Sequence, residues 1–294
     1  MEKGCTIPVG SDGGYVKLVD WMGSDHFIAS AARTSFDNQN QPEDRDRDRN
    51  LLFYLMRHKH MSPFEMCEVV FEIKVPMDIW RQFVRHRTAS INEHSTRYSE
   101  AIHGSTTTKS DEWRKQSKDN KQGSDGFLDS DIGVDLSLEE LTLQKQAREV
   151  YENRIALGVA KEQARKDLPL CTFTRAFWKM DLRNLLHFLE LRLDEHAQVE
   201  IRNYARAIYS IVSQLFPITM AAFEMYCLRA ITFSDLELMT LNLLTNEGFC
   251  ESVIKEQWSY ARYLHGDDSH KASEGEYKEF LEKLRRIGCI NGEQ

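Results

Sequence analysis

A chain of 294 residues with 41% hydrophobic content holds enough apolar material for one large core. Its formal net charge of -8 argues against broad nucleic-acid binding, which relies on a basic footprint. No run approaches the roughly eighteen apolar residues that a membrane span needs. The opening MEKGCTIPVGSDGG has neither a secretory apolar core nor an Arg-rich amphipathic pattern, so a cytoplasmic protein without membrane contact is expected. Cysteines at 5, 67, 171, 227, 250 and 289 include no C-x-x-C pair, which suits reduced thiols better than a disulfide frame or zinc site.

In chain order, Tyr15 to Asp20 (YVKLVD) alternates like a strand, and a helix-like segment follows to about Thr34. The polar run NQNQPEDRDRDR reads as a loop before the helix LLFYLMRHKH, which stops ahead of Ser62-Pro63. MCEVVFEIKV, residues 66 to 75, is rich in Val, Ile and Phe and reads as a strand. Pro76 suits the first turn of the next helix, PMDIWRQFVRH. Residues 101 to 135 are polar with few periodic apolar positions and are expected to form a mobile surface insertion. Ser137 with Glu140 reads as a capping box opening a long helix to about Lys166. LPLCTFTRAFW is strand-like, and helices are expected near 181 to 193, 196 to 215 and 217 to 230. Further helical segments and a polar tail complete the chain, with no recognisable chemistry. No internal repeat is visible.

The segment RHRTASINEHSTRYSE, Arg85 to Glu100, stands apart from this acidic background. Guanidinium forks match phosphate or carboxylate bidentately and stack on flat rings, so Arg85, Arg87 and Arg97 suit a nucleotide phosphate and a ring system. Ser90, Asn92, Glu93 and Ser95 add donors and acceptors. On charge alone the cluster fits better a solvated loop whose arginines pair with surplus carboxylates. The order of residues favours the first reading: Arg85, His86, Arg87, Ser90, Asn92, Glu93, Ser95 and Arg97 fit R-H-R-x-x-S-x-N-E-x-S-x-R. This resembles the signature of flavin-dependent thymidylate synthases. KHMSPFE (59 to 65), QFVRHR and the stretch from Ala164 to Ala205 are similar to further family segments, so the resemblance covers most of residues 15 to 230. Met66 stands where a His often follows the Phe-Glu, and Asp181 and His187 stand where some members carry Asn.

The resemblance implies reductive methylation of dUMP to dTMP, with methylenetetrahydrofolate as one-carbon donor, NADPH-reduced FAD as hydride source and tetrahydrofolate as product. It implies a mixed α+β fold: a helix-rich single domain around a small, mainly antiparallel sheet, assembled as a homotetramer with sites shared between subunits. Residues 1 to 234 would form the catalytic domain, and 235 to 294 a helical C-terminal extension. FAD contacts carry over to Ser62, Arg85, His86, Arg87, Glu93, Asp181, Leu182, Arg183 and His187, with Asp181 and Leu182 acting through backbone or side chain. Contacts to dUMP carry over to Gln82, Phe83, Val84, Arg85, Glu93, His94, Ser95, Thr96, Arg97, Arg165 and Arg192. Arg192 matches the activating arginine, the catalytic residue, which favours ionisation of the uracil ring.

Helical geometry bears on Arg192 independently. At about 100° per residue, Leu182, Leu185, Leu186, Leu189 and Leu193 share one stripe, with Arg183, His187, Glu190 and Asp194 on the polar side. Arg192 falls on the flank, one turn from Phe188 and His196. There it either snorkels over leucine or is a desolvated cation facing an ionising imide. His58 and His60 fit no usual helical metal spacing, so no metal is expected. Cys171 lies in a strand-like context suited to a small buried hydrophobe, and Ser95 has no assignable relay, so it takes an orienting role. The alternative function is a nucleotide-binding or single-stranded nucleic-acid-binding protein without turnover.

Overall fold

Strands form where β-branched and aromatic residues alternate, and in this chain they assemble one five-stranded antiparallel sheet, with a separate two-stranded hairpin. The computed structural model describes residues 2–36, 42–117, 123–247, 249–264 and 274–290. Two compact units result, Met1–Leu228 and Arg229–Gln294. In the first, β1 (Thr6–Val9) and β2 (Gly14–Met22) lead into helix α1 (Asp25–Arg33) and helix α2 (Arg45–Arg57). Next come β3 (Glu68–Pro76), α3 (Met77–Phe83) and β4 (Ser90–Glu93). A small hairpin of β5 (Arg114–Gln116) and β6 (Ser124–Phe127) precedes the 27-residue helix α4 (Ser130–Ala156) and the single turn α5 (Lys161–Ala164). The unit closes with β7 (Phe173–Asp181), α6 (Leu182–Leu193), α7 (Val199–Leu215) and α8 (Pro217–Phe223).

The main sheet has the order β1-β2-β3-β7-β4, with every pairing antiparallel. Strand β3 is central, and its alternate residues Val69, Phe71, Ile73 and Val75 are fully buried. Trp178 and the fully buried Phe83 and Phe188 extend this core from β7, α3 and α6. The expected apolar stripe of α6 is present: Leu182, Leu185, Leu186 and Leu189 are buried, and Leu193 packs at the margin. No described helix is long and apolar enough to cross a membrane.

Several boundaries differ from the sequence expectation, each for a physical reason. The run RDRDR is the start of α2 rather than loop, because Asp44 accepts hydrogen bonds from the Asp46 and Arg47 amides at 3.1 Å and caps the helix. Residues 38–41 of that expected loop lie outside the described residues. Pro76 is not in the first turn of α3; it is the extended residue just before it. The expected 101–135 insertion contains the hairpin and the first turns of α4, whose cap is Asp129. Ser137 and Glu140 are therefore interior to the helix and form no capping box. Ser137 Oγ donates to the Thr108 carbonyl at 2.7 Å, and Glu140 accepts from the Thr108 amide at 2.7 Å. Gly133 permits this close crossing, since a Cβ there would lie 1.8 Å from the Ser110 oxygen. Helix α4 ends at Ala156, well before Lys166, because Gly158 takes φ +79°.

Helix α2 ends with the same hydrogen-bond pattern but without glycine. The Lys59 amide donates to Met56 and the His60 amide to Leu55, and Lys59 holds φ +57°. A side chain in this left-handed region is strained, so Lys59→Gly is expected to stabilise the protein by about 1 kcal/mol. A rise in thermal midpoint of about 2–4 °C checks it.

Two buried carboxylates tie elements that are distant in sequence. Asp48 accepts from Arg33 Nη2 at 2.6 Å and pairs with His26 Nδ1 at 2.7 Å, joining α1 to α2. Asp25, in the first turn of α1, accepts from the amides of Ile218 and Thr219 at 2.8 and 2.9 Å and from Thr219 Oγ1 at 2.6 Å. It thereby caps α8, which has no cap of its own. Burial raises the Asp25 pKa, opposed by these three donors.

The second unit contains α9 (Asp235–Glu247), α10 (Glu251–Leu264) and α11 (Glu274–Arg286), around Leu244, Ile254, Trp258 and Phe280. Here a capping box does occur. The Glu237 amide donates to Ser234 Oγ, the Ser234 amide donates to Glu237 Oε2 at 2.6 Å, and Lys283 of α11 donates to the same carboxylate.

Candidate active site

Helix α3 ends where its Phe83 ring stacks on Phe188 of α6, with centroids 5.1 Å apart. The chain then turns, with the His86 amide donating to the Phe83 carbonyl at 3.0 Å, and this sets the His86 ring edge-on against Phe188 at 4.9 Å. Arg192, one turn along α6 from Phe188, donates from Nε to His86 Nε2 at 3.1 Å. An acceptor nitrogen requires a neutral imidazole. Burial, followed by the charges of Arg192 and His187, lowers the His86 pKa to about 4. Burial and the nearby Arg85 charge also lower the Arg192 pKa, although a guanidinium remains charged. Arg192 is thus a half-buried cation whose described hydrogen-bond partner is neutral.

These groups border an open cleft of about 520 Å³ lined by Arg85, His86, Arg87, Thr88, Met180, Asn184, His187, Leu191 and Arg192. Among the described residues, neither Arg85 nor Arg87 forms an ion pair. The cleft therefore gathers three guanidiniums without a carboxylate in its lining. Such a site suits an anion carrying a flat ring.

A second open cleft, of about 610 Å³, is lined by residues including Arg81, Glu93, His94, Ser95, Thr96, Arg165, Lys166 and Thr174. Strand β4 builds one wall. It runs antiparallel to β7 with Glu93 opposite Ala176, so the signature is part edge strand rather than all loop. Glu93 accepts from Trp80 Nε1 at 2.9 Å and from Thr174 Oγ1 at 2.7 Å. Arg165 donates to Thr96 Oγ1, and the exposed Arg97 pairs with Glu162 at 3.2 Å. The Ser95 hydroxyl accepts from the Arg97 amide and His94 Nε2 meets the Glu100 carbonyl, so a tight turn fixes this wall.

The residues singled out from sequence divide between these clefts. Arg85, His86, Arg87, His187 and Arg192 line the first; Glu93, His94, Ser95, Thr96 and Arg165 line the second. Phe83, expected against dUMP, has its side chain fully buried in the core, as does Leu182, whose amide also donates to Cys67. Neither side chain reaches a cleft. The Asp181 carboxylate is occupied as the cap of α6, accepting from the Asn184 amide at 3.0 Å and Asn184 Nδ2 at 2.7 Å. Ser62 opens a 3-10 turn, Arg183 pairs with Glu65, and Gln82 donates to Gln198 at 2.6 Å, all outside both linings. Val84 is exposed beside the first cleft but is not part of its lining. His196 is not one helical turn from Arg192, because α6 stops at Leu193 and His196 turns back to Asp194.

Sequence reasoning missed Asn184, Met180 and Leu191 in the first cleft and Arg81, Lys166 and Thr174 in the second. Asn184 and Leu191, one turn before and one turn after His187 on α6, were signalled by helical spacing. Three of the thiols are disfavoured as nucleophiles: burial raises Cys67 and Cys227 to about 11 and also raises Cys171.

The family model described as Thymidylate synthase complementing protein matches residues 17–218. A flavin-dependent thymidylate synthase from Thermus thermophilus is 46% identical over 250 residues, covering 84% of this chain and 89% of that protein. One from Wolbachia pipientis is 41% identical over 246 residues, covering 84% and 85%. Among solved structures, a UMP/dUMP methylase, PolB, from Streptomyces cacaoi bound with 5-Br dUMP superposes with a TM-score of 0.68 at 31% identity, covering 75% of this chain and 98% of that one. With a family model spanning most of its first unit and relatives this similar along most of their length, the chain belongs to the flavin-dependent thymidylate synthase family.

Proposed function

We propose that this protein is a flavin-dependent thymidylate synthase acting in the cytoplasm, methylating dUMP to dTMP with methylenetetrahydrofolate as carbon donor and NADPH as reductant through FAD. The observation that carries the site assignment is Arg192, a half-buried guanidinium held by a neutral imidazole in a cleft of unpaired arginines. The first cleft fits FAD chemically. Arg85 and Arg87 would hold its diphosphate, while Met180 and Leu191 offer apolar surface beside the neutral His86. When bound, FAD supplies the reducing equivalents. Arg192 keeps its charge where water is partly excluded and stabilises negative charge developing on a uracil ring. His86, neutral at physiological pH, orients Arg192 without cancelling that charge.

The direct test is dTMP formation from dUMP by purified, FAD-loaded protein supplied with NADPH and methylenetetrahydrofolate. A nucleotide-binding protein without turnover perturbs the flavin spectrum with dUMP but yields no dTMP, and that result rejects the enzyme.

Arg97, Ser95 and Arg165 are assigned to the nucleotide phosphate. Replacing Arg97 by Ala removes a charge-assisted contact. It should therefore weaken dUMP about tenfold or more while leaving uncharged deoxyuridine little changed. Equal losses for the two ligands in a calorimetric titration sink the phosphate assignment.

A homotetramer with shared sites is the assembly the family resemblance implies, and Arg192 and Arg165 lie in different clefts of one chain. If a site takes Arg192 from one copy and the second-cleft wall from another, two inactive variants, Arg97→Ala/Arg165→Ala and Arg192→Gln, regain activity when co-assembled. Mixed oligomers without activity place the whole site in one subunit.

A further inference from the structure

Glu93 lies on an exposed edge strand, with its side chain on the sheet face that carries the buried residues of β7. Its partner position is Ala176, and the next β7 residue on that face is Thr174, which is 4% exposed. Although Glu93 is an exposed residue, its carboxylate is held by two donors from separate elements. Thr174 Oγ1 donates to Oε1 at 2.7 Å, and the buried Trp80 of α3 donates from Nε1 to Oε2 at 2.9 Å. Each oxygen keeps further acceptor capacity, since a carboxylate offers about four lone-pair sites. Glu93 also lines the second cleft beside the cations Arg81, Arg165 and Lys166. One fixed anion among these cations suits a ligand that is itself mixed: anionic at one end, with a neutral O–H or N–H at the other.

We infer that Trp80 and Thr174 are positioning residues that hold the Glu93 carboxylate in the orientation in which it accepts a neutral donor of the bound nucleotide. This rests on the thymidylate synthase reading for the identity of that nucleotide. Neither residue touches the ligand through this role; each acts through Glu93. The two donors hold the carboxylate from strand and helix at once, so its direction is fixed before the ligand arrives, which lowers the ordering cost of binding.

The experiment measures dUMP binding to the FAD-loaded full-length protein by calorimetry. Thr174→Val keeps the shape and removes the donor, and is expected to weaken dUMP about tenfold with melting temperature and flavin content unchanged. Thr174→Ser, which restores the hydroxyl, should bind within about twofold of the parent. Trp80→Phe, which keeps an aromatic ring in the core, should weaken dUMP in the same direction. Added to Glu93→Ala, Thr174→Val should cause no further loss, because its effect runs through that carboxylate. Additive losses, or parent-like binding by Thr174→Val and Trp80→Phe together, overturn the inference. A parent that binds no dUMP overturns the thymidylate synthase reading as well, whereas normal parent binding with no response to either variant overturns this inference alone.

Discussion

Replacing Arg192 by Lys lowers dTMP formation by about two orders of magnitude, the scale observed when one preorganised electrostatic donor is removed. Lysine keeps the charge but loses the planar fork, and with it the ability to bond His86 through one nitrogen while presenting the others to a ring. Fold, bound flavin and reduction by NADPH should survive, because Arg192 sits at the last turn of α6 and no buried carboxylate depends on it. Glutamine should be worse, since it removes the charge. The readout is anaerobic reoxidation of reduced enzyme by dUMP with methylenetetrahydrofolate. Parent rates in both variants make Arg192 a snorkelling residue and defeat the catalytic assignment.

The largest loss of stability is expected away from the clefts. Asp48, 1% exposed, is the common partner of Arg33 and His26. Asp48→Ala leaves the Arg33 guanidinium, 6% exposed, without its counter-ion, at a cost of about 3–5 kcal/mol. That is a large share of a typical folding free energy of roughly 5–15 kcal/mol. Urea unfolding should show a lower midpoint with an unchanged slope. A shift equivalent to less than about 1 kcal/mol would mean that water reaches Arg33 once the carboxylate is gone.

The parts of the fold that could be read in advance were those encoded by local periodicity. Alternation marked β2, the Val, Ile and Phe content marked β3, and the leucine spacing marked the buried face of α6. The start of α4 was misplaced because Ser-x-x-Glu is ambiguous. At Ser137 and Glu140 the two side chains bind a neighbouring strand of backbone, whereas the same spacing at Ser234 and Glu237 closes on its own helix end. Sequence alone cannot say whether a competing backbone segment will pass alongside. The end of α4 is set differently: Gly158, with its φ of 79°, is a stop signal that stands in the sequence well before Lys166. In the site region, the arginine and histidine cluster was visible as a pattern. Its division into two clefts was not, because it follows from β4 pairing with β7 more than eighty residues later in the chain. The burial of Phe83 and Leu182 likewise depends on aromatic packing across α3 and α6.

The bond from Asp25 to Thr219 has a consequence for synthesis. The carboxylate is made early, and the amides it caps follow 194 residues later. At about 5–20 residues per second, a ribosome takes roughly 10–40 s to supply them. Until residue 181 is made β3 has no β7 to pair with, and until residue 219 is made Asp25 has no α8 amides to accept from. The nascent chain carries an unpaired sheet edge for most of that interval and a carboxylate without its donors for all of it. Commitment of the first unit to its native form therefore waits for nearly its whole length to be made, and premature termination before residue 219 should leave a chaperone substrate rather than a smaller stable domain.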